Sequence, residues 1–292
     1  MIKFADNRAS KQRKENLAFL TFRIMSYFVV VILAVIILFL LYSGARVISW
    51  DFITAMPAEG MTKGGIFPAI VGTLCLVAGS MVFAFPVGVL SAIYINEYAK
   101  DGLFKRFVKL MTNNLAGIPS IVFGLFGMSL FVNTLGFGDS ILSGSLTLGL
   151  LTLPVVIRTT EEALRSVDNS FRQGSLALGA TKLQTIRKVV LPISFPNIIT
   201  GLILSIGRVS GETAPILFTV AAYFLPKLPH SIFDQVMALP YHLYVISTSG
   251  TNIEESRPMA YGTALVLIAF VLIMNIIANL LRRYFSKKVK MN

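Results

Sequence analysis

Long apolar runs recur at about 24–42, 67–95, 115–135, 141–157, 193–223 and 259–281, and nothing else in the sequence restricts the fold so tightly. Each approaches or exceeds the roughly 17 to 25 residues that carry a helix across hydrocarbon. Hydrocarbon offers no water to backbone N–H and C=O groups, so a run of this length must satisfy them within itself, as a helix does. Of the 292 residues, 55% are hydrophobic and only 14% charged, which places the whole chain in the integral-membrane class and excludes soluble folds. The expected architecture is all-α, with six transmembrane helices and both termini on the same side.

The basic residues choose that side. Lys3, Arg8, Lys11, Arg13, Lys14 and Arg23 precede the first run; Lys100, Lys105, Arg106 and Lys109 follow the second; Arg158, Arg165, Arg172, Lys182, Arg187 and Lys188 lie between the fourth and fifth; Arg282, Arg283, Lys287, Lys288 and Lys290 follow the sixth. The alternate connections hold only Arg46, Lys63, Lys227 and Arg257. Because lysine and arginine accumulate on the cytoplasmic side, both termini and segment 158–192 are expected there. The same distribution accounts for the net charge of +12 without a nucleic-acid partner. The first run is read as a retained helix at 24–42 behind a basic cytoplasmic segment, 1–23, because its flank and apolar length exceed those of a signal peptide and five more runs follow.

Several features are expected to be structural. Cys75 has no partner cysteine and reads as small core packing. His230 and His242 lack a metal-ligand spacing and read as solvated or interfacial. In the connection 224–258, Pro229 and Pro240 are expected to bracket a short apolar helix carrying Asp234, interfacial or re-entrant above the bundle. Glycines such as Gly117, Gly124, Gly127, Gly144, Gly149, Gly201, Gly207 and Gly211 let membrane helices approach closely.

The polar stretch QGSLALGATKLQTIRKVVLP (173–192) interrupts this pattern. Leu164, Val167, Phe171, Leu176, Ala180, Leu183, Ile186 and Val190 recur at three- and four-residue steps, which predicts two short helices with an apolar stripe. Gly179 falls where they meet and tolerates the positive φ of an abrupt change of direction. Pro192 marks the return to the membrane. Docking into a protein groove is the favoured reading over lying on the lipid surface.

The fifth run holds Arg208 and Glu212 four residues apart. An arginine near the centre of a membrane helix costs roughly 2.5 to 3.5 kcal/mol, so such a group faces a cavity or a counter-charge. Thr213 adds a hydroxyl, Gly207 and Gly211 clear the surface, and Pro215 frees a carbonyl in the preceding turn. Either the pair is a structural bridge, or Arg208 lines a translocation path and meets an anion while Glu212 holds it ready. A planar guanidinium donates in pairs and suits phosphate.

These motifs carry a family resemblance. Gln173, Gly174 and Ser175, then Gly179, Ala180 and the Leu191-Pro192 pair, resemble the "EAA" loop through which ABC importer permeases grip their ATPase, although the family more often has an acid at the place of Gln173. The run GRVSGETAPILFT (207–219), with Arg208, Glu212 and Thr213, is similar to the fifth-helix signature of PstA-type permeases of phosphate ABC importers, with support from NLAGIPSIVFG (114–124) and LPVVIRTTEEAL (153–164). The resemblance implies a type I (MetI-like) permease core over 65–285, a coupling loop at 158–192 and a cytoplasmic tail at 286–292. It also implies a multi-pass protein of the bacterial plasma (inner) membrane that imports inorganic phosphate. The implied partners are a PstC-like permease, a PstB-like ATPase dimer and an extracytoplasmic PstS-like phosphate-binding protein.

No enzyme or cofactor site is expected. Gly174 and Gly179 have the spacing of a phosphate-binding loop, but Ala180 and Thr181 follow where lysine and serine or threonine are needed, so ATP is used by a partner ATPase. Two alternatives stay open: a permease for another oxyanion or phosphorylated solute, and an autonomous channel or secondary transporter. Against the latter, the connection of about ten residues after the second run has no counterpart to the Gly179 segment.

Overall fold

The computed structural model describes residues 2–249 and 253–291, with side chains described for 11–249 and 254–286; Lys3, Arg8, Lys287, Lys288 and Lys290 of the basic flanks lie outside the latter ranges. The first helix, α1 (Ile2–Gly44), is continuous through the basic segment and the first run. Its apolar side chains from Leu17 to Tyr42 are largely exposed. It leans on the last helix at one end only, where Phe39 meets Tyr261 edge-on and Gly44 abuts the Tyr261 carbonyl. A short α2 (Trp50–Thr54), capped by Ser49, and a two-residue hairpin, β1 (Pro57–Ala58) with β2 (Lys63–Gly64), then lead into the bundle.

The bundle is organised by α3 (Phe67–Ile93), extended by a π-helical turn to Tyr98, and by α6 (Ile141–Arg165). Pro68 opens α3 where its missing N–H costs nothing, and Ser140 caps α6 by accepting from Ser143 N. Gly79 lies against Ser145, Gly88 against Val156 and Gly149 against Phe83, so a side chain at any of them would push the two helices apart. Gly127 against Thr147 and Gly201 against Thr159 repeat this at other crossings, whereas a side chain at Gly117, Gly207 or Gly211 would meet its neighbours only at 3.5 Å or more. The main core, with Leu76, Leu148, Ile216, Val220, Met237, Leu239 and Ile246, fills the end of the bundle opposite the basic flanks.

Among the described residues, five helices are long and apolar enough to cross a membrane, Lys11–Gly44, Phe67–Tyr98, Ile141–Arg165, Lys182–Val209 and Glu254–Ser286, and the count reaches the expected six if the bent pair Leu103–Ala116 and Ser120–Thr134 is one span. The third expected span, 115–135, is broken. Its place is taken by α4 (Leu103–Ala116) and α5 (Ser120–Gly127, continuing as a π-helical turn to Thr134), which meet at 103°. Pro119 disfavours helical geometry at Ile118, and α4 carries Lys105, Arg106, Lys109, Thr112 and Asn113, too polar for hydrocarbon. The connection after the second run is therefore an amphipathic helix, not ten residues of loop.

The fifth run also stops early. Helix α7 (Asn169–Ala177) and α8 (Lys182–Thr185) form the polar segment, and α8 passes through a π-helical turn into α9 (Leu191–Val209) with no break at Pro192, which sits in the first turn of α9. The apolar run expected to reach Tyr223 ends at Ser210; a four-residue α10 (Ala214–Leu217) follows, with Pro215 in its first turn, not kinking a continuous helix.

From Pro229 to Ala238 there is no helix. Asp234 accepts from His230 N and Ser231 N to close a turn, which holds its carboxyl below the usual carboxylate range. The chain then dips into the core, with Val236 bridged to Ala221 and Leu239 N donating to Thr73 Oγ1 at 2.8 Å. Helix α11 (Leu239–Thr248) carries Pro240 in its first turn, where proline is tolerated, and α12 (Ile253–Met291) completes the bundle. His230 is exposed as expected; His242, on α11, is buried instead, because α11 packs on α12 and α3.

Candidate functional site

Two places hold the residues singled out in the sequence. At the basic end of the bundle, Asp168 caps α7 by accepting from Ser170 N at 2.8 Å, a contact that also holds its carboxyl below the usual range. Gln173, Gly174 and Ser175 lie on α7, with Gln173 and Gly174 exposed. After Leu178 the chain reverses at Gly179, whose φ is +82°, the left-handed region that favours glycine. Thr181 starts α8 with a reciprocal cap: Gln184 N donates to Thr181 Oγ1, and Thr181 N donates to Gln184 Oε1. The Ser175 and Thr185 hydroxyls, 2.9 Å apart, tie the two helices together.

The expected apolar stripe divides into two. Leu164, Val167 and Val190 are buried with Ile93, Leu191 and Ile193, and Ile186 is buried too, so these positions anchor the segment to the bundle. Phe171, Leu176, Leu178 and Leu183 are exposed, Leu178 at 91% of its surface. Ala180 is half-buried and Pro192 exposed. Leucine and phenylalanine side chains left in water on a polar segment mark an interaction surface.

The second place is the end of the fifth span, so Arg208 lies in the last turn of α9 and not near the centre of a membrane helix. Ser210 closes α9, and Gly211 N and Glu212 N donate to Arg208 O and Val209 O, so the turn brings Glu212 back beside Arg208. Arg208 Nε donates to Glu212 Oε1 at 3.3 Å, with the side chains 37% and 17% exposed. Both terminal nitrogens of Arg208 are without a protein partner among the described residues, leaving the guanidinium fork open. Thr213 begins α10 without capping it through its side chain. Phe218 and Pro215 pack on Gly124 of α5, so the turn is fixed to the broken third span.

Contacts that the sequence reading missed lie at the basic end. Arg172 Nη2 donates to Glu97 Oε1 at 2.8 Å, joining α7 to the end of α3, and Glu161 receives Lys109 at 2.8 Å and Arg165 at 2.6 Å. A cavity of about 230 Å³ sits beside Lys109, Asn113, Arg158 and Glu162. The only sequence signal for the first contact was an acid, Glu97, closing an otherwise apolar run. Among the described residues no group of three or more His, Cys, Asp or Glu could hold a metal ion.

A family model described as the inner membrane component of binding-protein-dependent transport systems matches residues 84–291. The probable ABC transporter permease protein YqgI of Bacillus subtilis (strain 168) is 33% identical over 290 residues, 95% of this chain and 98% of that protein. Phosphate transport system permease protein PstA 1 of Mycobacterium tuberculosis (strain ATCC 25618 / H37Rv) is 41% identical over 221 residues, 75% of this chain and 70% of that one. Haemophilus influenzae PstA is 31% identical over 260 residues, covering 88% and 90%. Among solved structures, a bacterial alginate ABC transporter in complex with its pentasaccharide-bound periplasmic protein aligns with a TM-score of 0.66 at 17% identity, covering 94% of this chain and 96% of that chain. The inward-facing MetNI methionine transporter aligns at 0.58 and 19%, covering 76% and 94%. At these identities the structural likeness establishes the fold, a MetI-like permease. With the family match spanning most of its length, this chain belongs to the inner membrane components of binding-protein-dependent transport systems, the multi-pass permease subunits of ABC importers.

Proposed function

We propose that this chain is the permease subunit that carries inorganic phosphate across the bacterial plasma membrane, with the basic end of its bundle facing the cytoplasm. As a permease it is a transport component and not an enzyme; ATP hydrolysis belongs to a separate subunit. Relatives named PstA support phosphate as the cargo. The observation that carries the reading is the open fork of Arg208, held by Glu212 through Nε alone at the end of the fifth span. Two parallel N–H donors match two oxygens of a phosphate, and a charge-assisted contact offsets part of the anion's dehydration. Thr213, one residue on, supplies a hydroxyl to the same path. The partners of this reading are a PstC-like permease, a PstB-like ATPase dimer and an extracytoplasmic PstS-like phosphate-binding protein. The segment with Gln173, Gly174, Ser175, Gly179, Ala180, Leu191 and Pro192 presents Leu176, Leu178 and Leu183 to the ATPase.

The test is ATP-driven uptake of labelled phosphate by the reconstituted complex, with sulfate and molybdate as competitors. Uptake that requires the ATPase and resists a hundredfold excess of either competitor is expected. ATP-driven uptake of sulfate in preference to phosphate would reassign the cargo to another oxyanion, and uptake without any ATPase would make the chain an autonomous carrier.

A further inference from the structure

We infer that Glu97 and Arg172 form a mechanical link through which movement of the coupling segment is passed to α3. The inference rests on the assignment of 158–192 as the ATPase-docking segment.

Arg172 does more than complete an ion pair. Its Nη2 donates to Glu97 Oε1 and to Leu164 O, both at 2.8 Å, and its Nη1 donates to Val167 O at 2.7 Å. The arginine on α7 thus holds a carbonyl in the last turn of α6, the carbonyl of Val167 just beyond it, and the π-helical turn that ends α3 at once. Asn96 donates to the same Glu97 oxygen at 2.9 Å. The side chains are only 17% and 8% exposed, unlike the surface pair Arg158–Glu162 at 65% and 71%. Screening by water that makes exposed pairs nearly worthless does not apply with the same force here. From the other coupling helix, Lys182 Nζ lies 5.1 Å from the Tyr98 ring centroid, so α7 and α8 both touch the turn Tyr94–Tyr98.

That turn ends one continuous helix, which carries Pro86 in its interior. The helix Phe67–Tyr98 runs for 32 residues, about 48 Å at 1.5 Å per residue. Near its far end, Thr73 Oγ1 receives the N–H of Leu239 and Gly72 abuts the Met237 carbonyl. The segment 236–239, which closes the core at the end opposite the coupling segment, is therefore carried by the same helix whose first grip is Glu97. A displacement of α7 along the axis of α3 must either move this segment or break the Arg172 contacts. Glu97 and Arg172 are positioning residues in this account: their side chains are largely buried against each other, whereas the docking side chains Phe171, Leu176, Leu178 and Leu183 are exposed.

The test uses the full complex with three readouts: ATPase retained on the purified permease, phosphate uptake, and stimulation of ATP hydrolysis by the phosphate-loaded binding protein. For Glu97→Gln and for Glu97→Gln/Arg172→Gln, ATPase retention within twofold of wild type is expected, with uptake reduced tenfold or more and hydrolysis no longer responding to phosphate. In a Cys75→Ser background, Glu97→Cys/Arg172→Cys should show the same loss, and bridging the two thiols with a bifunctional reagent should restore uptake. Uptake near wild type in Glu97→Gln, or uptake and ATPase retention falling in parallel with no recovery on bridging, would overturn the link. Failure of the wild-type chain to retain an ATPase at all would overturn the docking assignment, and the link with it.

Discussion

Replacing Gly179 separates backbone conformation from space as the reason for a glycine in the coupling segment. A side chain there would meet nothing within 4 Å, so any penalty comes from holding an L-residue at φ +82°. That penalty is about 1 to 2 kcal/mol for an ordinary residue and is greatest for a β-branched one. At 1.4 kcal/mol per tenfold, alanine should lower the equilibrium constant for the folded-back turn about fivefold and valine about thirtyfold, with asparagine, which tolerates this region better, closer to wild type. Gly174 is the internal control. It also meets nothing within 4 Å but lies inside α7, where alanine gains roughly 0.5 to 1 kcal/mol over glycine. The assay is ATPase retained per permease at limiting ATPase, alongside phosphate uptake. The order expected is Gly174→Ala at or above wild type, then Gly179→Asn, Gly179→Ala and Gly179→Val. Full retention and uptake in Gly179→Val, or equal damage from Gly174→Ala, would refute the argument.

Orientation is checked by single cysteines in a Cys75→Ser background: those at Lys182 and Ser286 should react only after the cytoplasm is opened and one at Lys227 in intact cells, whereas labelling of Lys182 from outside reverses the assignment. Thr73→Val removes the acceptor of the buried Leu239 N–H and should cost about 1 to 3 kcal/mol. The thermal midpoint of the purified complex should fall for Thr73→Val and recover for Thr73→Ser; an unchanged midpoint for valine would show that the bond carries little.

Local signals made much of this chain readable. The length and polarity of the runs gave the membrane helices, and the Gly179 spacing anticipated a reversal between two short helices, because both depend on nearest neighbours in sequence. The break at Gly117-Ile118-Pro119 is hard to see within an apolar run, although the cations of α4 argue against hydrocarbon. The dip of 236–239 into the core was hidden because its apolar residues suit a short helix equally well until Thr73 and Gly72 supply a partner 166 residues away in sequence. Arg172 was visible only as one more basic residue, since its pairing with Glu97 spans 75 positions. The stripe at 164–190 was legible as apolar but not as two surfaces, one anchoring and one exposed, because burial depends on what the rest of the bundle places beneath it.

The role of Arg208 is decided by labelled phosphate uptake measured together with complex yield for Arg208→Gln, Glu212→Gln and the double variant. Removing one partner leaves an uncompensated charge, which costs more than having neither, so a purely structural bridge would recover when both are neutral. If Arg208 meets the anion, the double variant assembles at wild-type yield and still fails to transport. Recovery of uptake in the double variant would contradict the account.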